Sequence, residues 1–254
     1  MAKAPFSLSA PVDQKGFTLV ELAIVLMIIG LLIGGILRGQ ELMENARITG
    51  TIQQVKAYAG AFVTFQDAYA ARPGDMARAT ARLPGCTAAN NCGNGDGNGI
   101  VGQPGLRNSD NINQAGTIAA PLVETSYFWK HMALAHLISG VDPSSNPLNA
   151  VWGSTAPAAK VNGGFSVFNA TSQNFIIGDK GLGNVLRLQG SPLSNGIDAF
   201  PAISPLRARQ LDAKMDDGLG DSGSVTGDHE WNCDPNGNYI NSEEITCWMY
   251  FTME

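Results

Sequence analysis

Between Phe17 and Leu37 the chain reads FTLVELAIVLMIIGLLIGGIL, an apolar run broken by Thr18 and by a single carboxylate, Glu21. About 20 such residues, rising about 1.5 Å each as a helix, cross the roughly 30 Å hydrocarbon layer of a bilayer. The run therefore predicts a membrane-spanning helix. What precedes it is short and polar, MAKAPFSLSAPVDQK, with Lys3 and Lys15 against Asp13. Basic residues ahead of the span hold the amino end on the cytoplasmic side and send the rest of the chain across. A cleavable secretory signal fits poorly, because its apolar core is about 7–15 residues long and ends in a small-residue cleavage site. Here Arg38-Gly39-Gln40-Glu41 follows instead. A plain anchor fits poorly too, since an ionised side chain inside a membrane helix is unfavourable and Glu21 would have no purpose.

The segment KGFTLVELAIVLMIIGLL, residues 15–32, resembles the class III leader junction of type IV prepilins and of the pseudopilins of type II secretion systems. The match extends over roughly residues 15–45. In that family a membrane aspartyl peptidase cuts after the glycine, which here is Gly16, and methylates the new terminal amine, here that of Phe17. The acid that the family carries four residues further on corresponds to Glu21. The resemblance implies a filament subunit with no active site of its own. It also implies a single-pass protein of the bacterial inner membrane, with a periplasmic head, that passes into a filament at the cell surface. The implied partners are the prepilin peptidase, like or related pilin subunits and the inner-membrane assembly platform. On this reading the cationic amine of processed Phe17 meets Glu21 of a neighbouring subunit. Each charge neutralises the other where the dielectric is low, and a buried charge left alone is costly. The pair then acts as a register device for assembly.

The formal charge of −6 becomes about −7 when residues 1–16, with two lysines and one aspartate, are removed. That balance argues against nucleic acid as a partner, which calls for a basic surface. Four cysteines, Cys86, Cys92, Cys233 and Cys247, allow three pairings. They show neither zinc-like nor redox C-x-x-C spacing, and with export implied two disulfides are expected. The local pairing, Cys86–Cys92 and Cys233–Cys247, is the preferred one, and the second would be similar to the C-terminal disulfide loop of many pilins.

After the span, Ile48, Ile52, Val55, Tyr58, Phe62, Phe65 and Tyr69 keep steps of three or four, the pattern of one apolar helix face. The helix should continue to about Ala71, where Arg72-Pro73-Gly74-Asp75 stops it, for a length of roughly 80 Å from Phe17. The expected organisation is a leader over 1–16, a transmembrane and assembly half-helix over 17–37, an amphipathic half over 38–71 and a globular head over 72–254. Residues 72–124 read as an irregular insertion. A helix is expected from Ser126 to Ile138, ending at Gly140. Strands are expected at 164–168, 174–178, 184–188 and 247–251, and a short helix follows Ser204-Pro205 with Ser204 as N-cap. The fold class is α+β and pilin-like, a long N-terminal helix packed on an antiparallel sheet head with loop-rich insertions.

Catalysis is not expected. Gly220-Asp221-Ser222-Gly223 echoes the surroundings of a serine nucleophile, but no histidine and aspartate motif accompanies it. His131 and His136 are five residues apart and do not share a helix face as paired metal ligands would. No cofactor is required, and a structural calcium ion is the one metal to consider. Asp234-Pro235-Asn236-Gly237-Asn238-Tyr239-Ile240-Asn241-Ser242-Glu243-Glu244 resembles an oxygen-rich EF-hand loop without its turn glycine. Its candidate ligands are Asp234, Asn236, Asn238 and Glu244, with Asp216, Asp217 and Asp221 as further candidates. Asn94-Gly95-Asp96-Gly97-Asn98-Gly99 has the opening half of such a pattern but no glutamate after it. A rival reading is a surface or tip adhesin whose head binds a ligand through Trp129, Trp152, Trp231 or Trp248.

Overall fold

A 51-residue helix, α1 (Leu19–Tyr69), opens the computed structural model, which describes residues 16–102, 124–170, 183–192, 200–228 and 232–253. The chain divides into two units at Glu44/Asn45. In the first, the apolar residues from Phe17 to Leu42 stand exposed. They are the one stretch among the described residues long and apolar enough to cross a membrane. In the second, the face Ile48, Thr51, Ile52, Val55, Tyr58, Phe62 and Phe65 is buried, the residues that the helical period selects. The helix stops where Ala70 turns left-handed, with φ 48°, and Pro73 beyond it offers no amide donor.

Of the insertion, residues 72–102 and Glu124 are described. They contain a short helix, α2 (Ala79–Arg82), and one 3-10 turn, Ala88–Asn90. A disulfide joins Cys86 to Cys92, with sulfurs 2.00 Å apart. Helix α3 runs Glu124–Leu134, starting two residues before and ending four residues before the expected bounds. Its end is a Schellman motif: the amide of His136 donates to the Ala133 carbonyl and that of Leu137 to the Met132 carbonyl, both at 3.0 Å. His136 takes the left-handed position, φ 58°, which glycine usually fills, so Gly140 does not set the boundary.

Strands β1 (Gly164–Ala170), β2 (Gly183–Gln189), β3 (Val225–Gly227) and β4 (Met249–Thr252) form one antiparallel sheet in the order β1-β2-β4-β3. The expected strand at 174–178 lies outside the described residues. β3 was not expected, and β4 starts two residues later than predicted. The register sets Phe165 opposite Leu188, Val167 opposite Leu186, and Phe251 between Leu186 and Val225. One face is therefore aliphatic and aromatic and joins the core beside Tyr58, Phe62 and Trp129. The other carries Ser166, Arg187, Tyr250 and Thr226, likewise buried.

Between β2 and β3 lies α4 (Pro205–Met215), with Ser204 in extended backbone before it. Ser204 makes no side-chain cap. Its hydroxyl instead points to the Glu243 carboxylate at 3.5 Å, so only its position is that of an N-cap. The second disulfide joins Cys233 to Cys247 at 1.99 Å. A loop of about 15 residues closed in this way stabilises by about 3 kcal/mol in the chain-entropy account.

Candidate functional site

Helix α3 gathers three loops through charged side chains at successive turns. At its start Glu124 is fully buried, and Asp75, just past the end of α1, is 4% exposed. Asp96 completes a triad of carboxylates whose oxygens lie within 4.8 Å of one another. Glu124 Oε1 accepts the amide of Asp96 at 2.8 Å and Oε2 that of Gly102 at 2.9 Å. Asp75 Oδ2 accepts the amide of Gly99 at 2.9 Å. Burial pushes Glu124 up to about 8, and the charges of Asp96 and Asp75 add to that push against the two amides. Burial likewise raises Asp75. The chain comes close enough here to need glycine: a Cβ on Gly74, at φ 86°, would fall 2.4 Å from the Glu124 carbonyl oxygen. The sequence pattern pointed to Asn94, Asp96 and Asn98 as alternating ligands. Asn94 Oδ1 is instead taken by the amide of Thr80 at 2.9 Å, and the glutamate the loop lacked arrives from α3.

Nearly two turns further along, the Nζ of buried Lys130 donates to the carbonyls of Asn90 and Ser145. His131 is fully buried. Its Nδ1 accepts the Gly74 amide at 2.9 Å, which leaves Nε2–H to donate to the Gly93 carbonyl at 3.1 Å. Both nitrogens are occupied only when the ring is neutral, and burial holds its pKa down to about 4. Cys86 and Cys92 lie beside this ring, but their disulfide and the two backbone bonds close the group to a metal. The unfolded chain protonates the same histidine near 6.5. The stability from neutral His131 is thus fully present above about 6.5 and is lost as pH falls through about 4, a change of about 3 kcal/mol. Chemical denaturation of wild type and of His131→Gln from neutral to about pH 4 should show their difference shrinking by that amount; a constant difference would contradict the neutral clamp.

The C-terminal acids are spread differently. Asp234 is fully buried, and a Cβ on Gly220 would fall 1.8 Å from its Oδ2. Asn236, Asn238 and Glu244 are exposed. Asn238 Nδ2 donates to the Asn236 carbonyl at 3.3 Å and the Glu244 amide to Ser242 Oγ at 3.1 Å. Asp216 accepts the amides of Ser224 and Val225, and Asp217 accepts the hydroxyl of Ser222 and the amide of Leu219. Asp221 packs against Gly237. Asp212, raised to about 6 by burial, accepts the Tyr239 hydroxyl at 2.8 Å. Among the described residues, three carboxylates come together at Asp75, Asp96 and Glu124 and not within 212–244. Of the tryptophans, Trp129 and Trp248 are buried, Trp152 is half-buried with its indole N–H on the Gly190 carbonyl at 3.1 Å, and Trp231 lies outside the described residues.

At the other end, Thr18 and Glu21 form a capping box around the first turn of α1. The amide and the hydroxyl of Thr18 both donate to Glu21 Oε2 at 2.8 Å, and the Glu21 amide donates to Thr18 Oγ1 at 3.2 Å. Phe17, immediately before, is 91% exposed. Sequence reasoning assigned Glu21 to a neighbouring subunit and overlooked this local partner, although T-x-x-E ahead of an apolar run is its signature. Gly30, Gly34, Gly35 and Gly39 leave open space where a Cβ would stand, and the helix passes through Gly34-Gly35 without a break.

The model of the prokaryotic N-terminal methylation motif matches residues 12–37, across Gly16, Phe17 and Glu21. This is a type IV prepilin-like class III leader. No curated protein and no solved structure matches the chain. The prepilin motif implies processing by a prepilin peptidase and assembly with pilin subunits, and the exposed apolar start of α1 within it suits a single membrane span. The α+β layout of long helix and four-stranded antiparallel sheet is pilin-like as well.

Proposed function

We propose that the chain is a minor pilin or a pseudopilin, cleaved between Gly16 and Phe17, N-methylated on Phe17 and built into a filament through the first half of α1. Residues 17–37 form its membrane and assembly segment, 38–71 the amphipathic half of the helix and 72–254 a periplasmic head. The methylation motif at residues 12–37, whose apolar part stands exposed on α1, carries this reading. Cleavage frees a cation at Phe17, one residue from the capping box that fixes the Glu21 carboxylate. A second subunit shifted along the bundle brings its own Glu21 to that cation. The role is structural, with no catalytic residue. The large insertion after α1 and the elaborated, disulfide-closed C-terminal portion favour a low-copy subunit over a compact major one. Mass spectrometry of the protein from its native membrane tests processing: the mature chain should begin with N-methyl-phenylalanine followed by Thr-Leu-Val-Glu. An intact leader on the mature protein would contradict the proposal.

A further inference from the structure

We propose that Asp75, Asp96 and Glu124 bind a divalent cation of the calcium class, clasping the turn after α1, the loop beyond the Cys86–Cys92 disulfide and the start of α3. The observation that singles this cluster out is Asp75. Its side chain is 4% exposed, its Oδ2 accepts the Gly99 amide, and its Oδ1 has no donor at hydrogen-bonding geometry among the described residues, the Gly97 amide acting on the carboxylate more weakly. The side chain facing it is the carboxylate of Asp96, so acceptor meets acceptor. A buried carboxylate oxygen without a donor is costly, and here a second acid, Asp96, and a third, Glu124, stand within the same 4.8 Å cluster. Among the described residues, the charges that act on Asp75 and Glu124 are those of other acids. A cation between the three removes both penalties.

The donor set indicates its class. All three ligands are carboxylates, with no imidazole or thiolate among them, which suits a hard cation and not zinc. Each Glu124 oxygen and Asp75 Oδ2 spends one lone pair on an amide and keeps another. Calcium completes its six to eight oxygens with carbonyls and water and tolerates irregular geometry, whereas magnesium demands a near-ideal octahedron. The ligands come from segments 21 and 28 residues apart along the chain, so an ion here would stabilise long-range closure of the head. This inference stands whether or not the chain enters a filament.

The test uses the full chain in detergent micelles, stripped with a chelator and titrated with calcium chloride in a calorimeter. We expect one ion per chain, with Kd no weaker than the 10⁻⁴–10⁻³ M of extracellular modules, and a rise in melting temperature with calcium. Asp75 and Glu124 are buried and their replacement risks the fold, so the decisive variant is Asp96→Asn, on an exposed residue. It should weaken binding by at least about tenfold, since even outer partners of metal ligands are worth that much, with unchanged circular dichroism. Asp234→Asn should bind calcium as wild type does. Absence of uptake at about 10 mM calcium, above the extracellular range, would overturn the proposal. So would wild-type affinity in Asp96→Asn, or loss of binding confined to Asp234→Asn.

Discussion

A Glu21→Ala chain should be cut after Gly16 and methylated on Phe17, yet fail to enter filaments. Two contributions of Glu21 are lost together: the acid offered to a neighbour's terminal cation, and the carboxylate that accepts the Thr18 amide and hydroxyl. They can be separated. Glu21→Gln keeps an acceptor for Thr18 and loses the charge, whereas Thr18→Ala removes the hydroxyl and keeps the acid. If charge pairing between subunits governs assembly, Gln fails as Ala does and Thr18→Ala still polymerises. If the capping box governs it, the order reverses. Filament recovered by shearing, scored by immunoblot beside the mass of the processed N-terminus, reads both steps in one culture. Wild-type filament yield from Glu21→Ala would remove the acid from the mechanism.

Trp129→Ala should be the most damaging single change in the head. Trp129 is fully buried on α3, edge-on to Tyr58 of α1 at 5.1 Å and to Phe128 at 5.0 Å, and Tyr58 in turn meets Phe165 of β1 at 5.5 Å. Truncation leaves a cavity where helix, helix and sheet converge, at about 3–5 kcal/mol, and lowers the melting temperature by roughly 10 °C for a domain of this size. Trp129→Phe should cost less. It keeps an aromatic ring, and it removes an indole N–H that has no acceptor among the described residues. Thermal unfolding followed by circular dichroism ranks the three proteins; an alanine variant as stable as wild type would mean that these rings do not form the core.

Local signals were legible and distant ones were not. The period of Ile48, Ile52, Val55, Tyr58, Phe62 and Phe65 announces a buried helix face because each residue lies a turn from the next. The methylation motif over residues 12–37 is legible for the same reason, since its residues lie in one short run. β3 is three residues within a Gly/Ser/Asp stretch, too short for any alternation to register, and it exists because β4 offers it a partner. The end of α3 was misplaced because His136 takes a conformation that glycine usually marks. The carboxylate triad was only half visible. Asp96 sits in a recognisable oxygen-rich loop, but Asp75 and Glu124 reach it through tertiary folding, and no spacing in the chain encodes that meeting. The spacing of His131 and His136 argued only against a shared metal, and the clamp that His131 forms stayed hidden because its two partners come from loops 57 and 38 residues upstream.

The strand synthesised last of the four, β4, sits inside the sheet between β2 and β3. Synthesis from the N-terminus therefore delivers β1 and β2 well before the piece that joins them to β3. Until then β2 presents a bare edge, and β3 has no neighbour at all. A product cut short before Met249 would keep the methylation motif at its front while lacking the keystone of its sheet. Completion of the head is thereby tied to completion of the polypeptide.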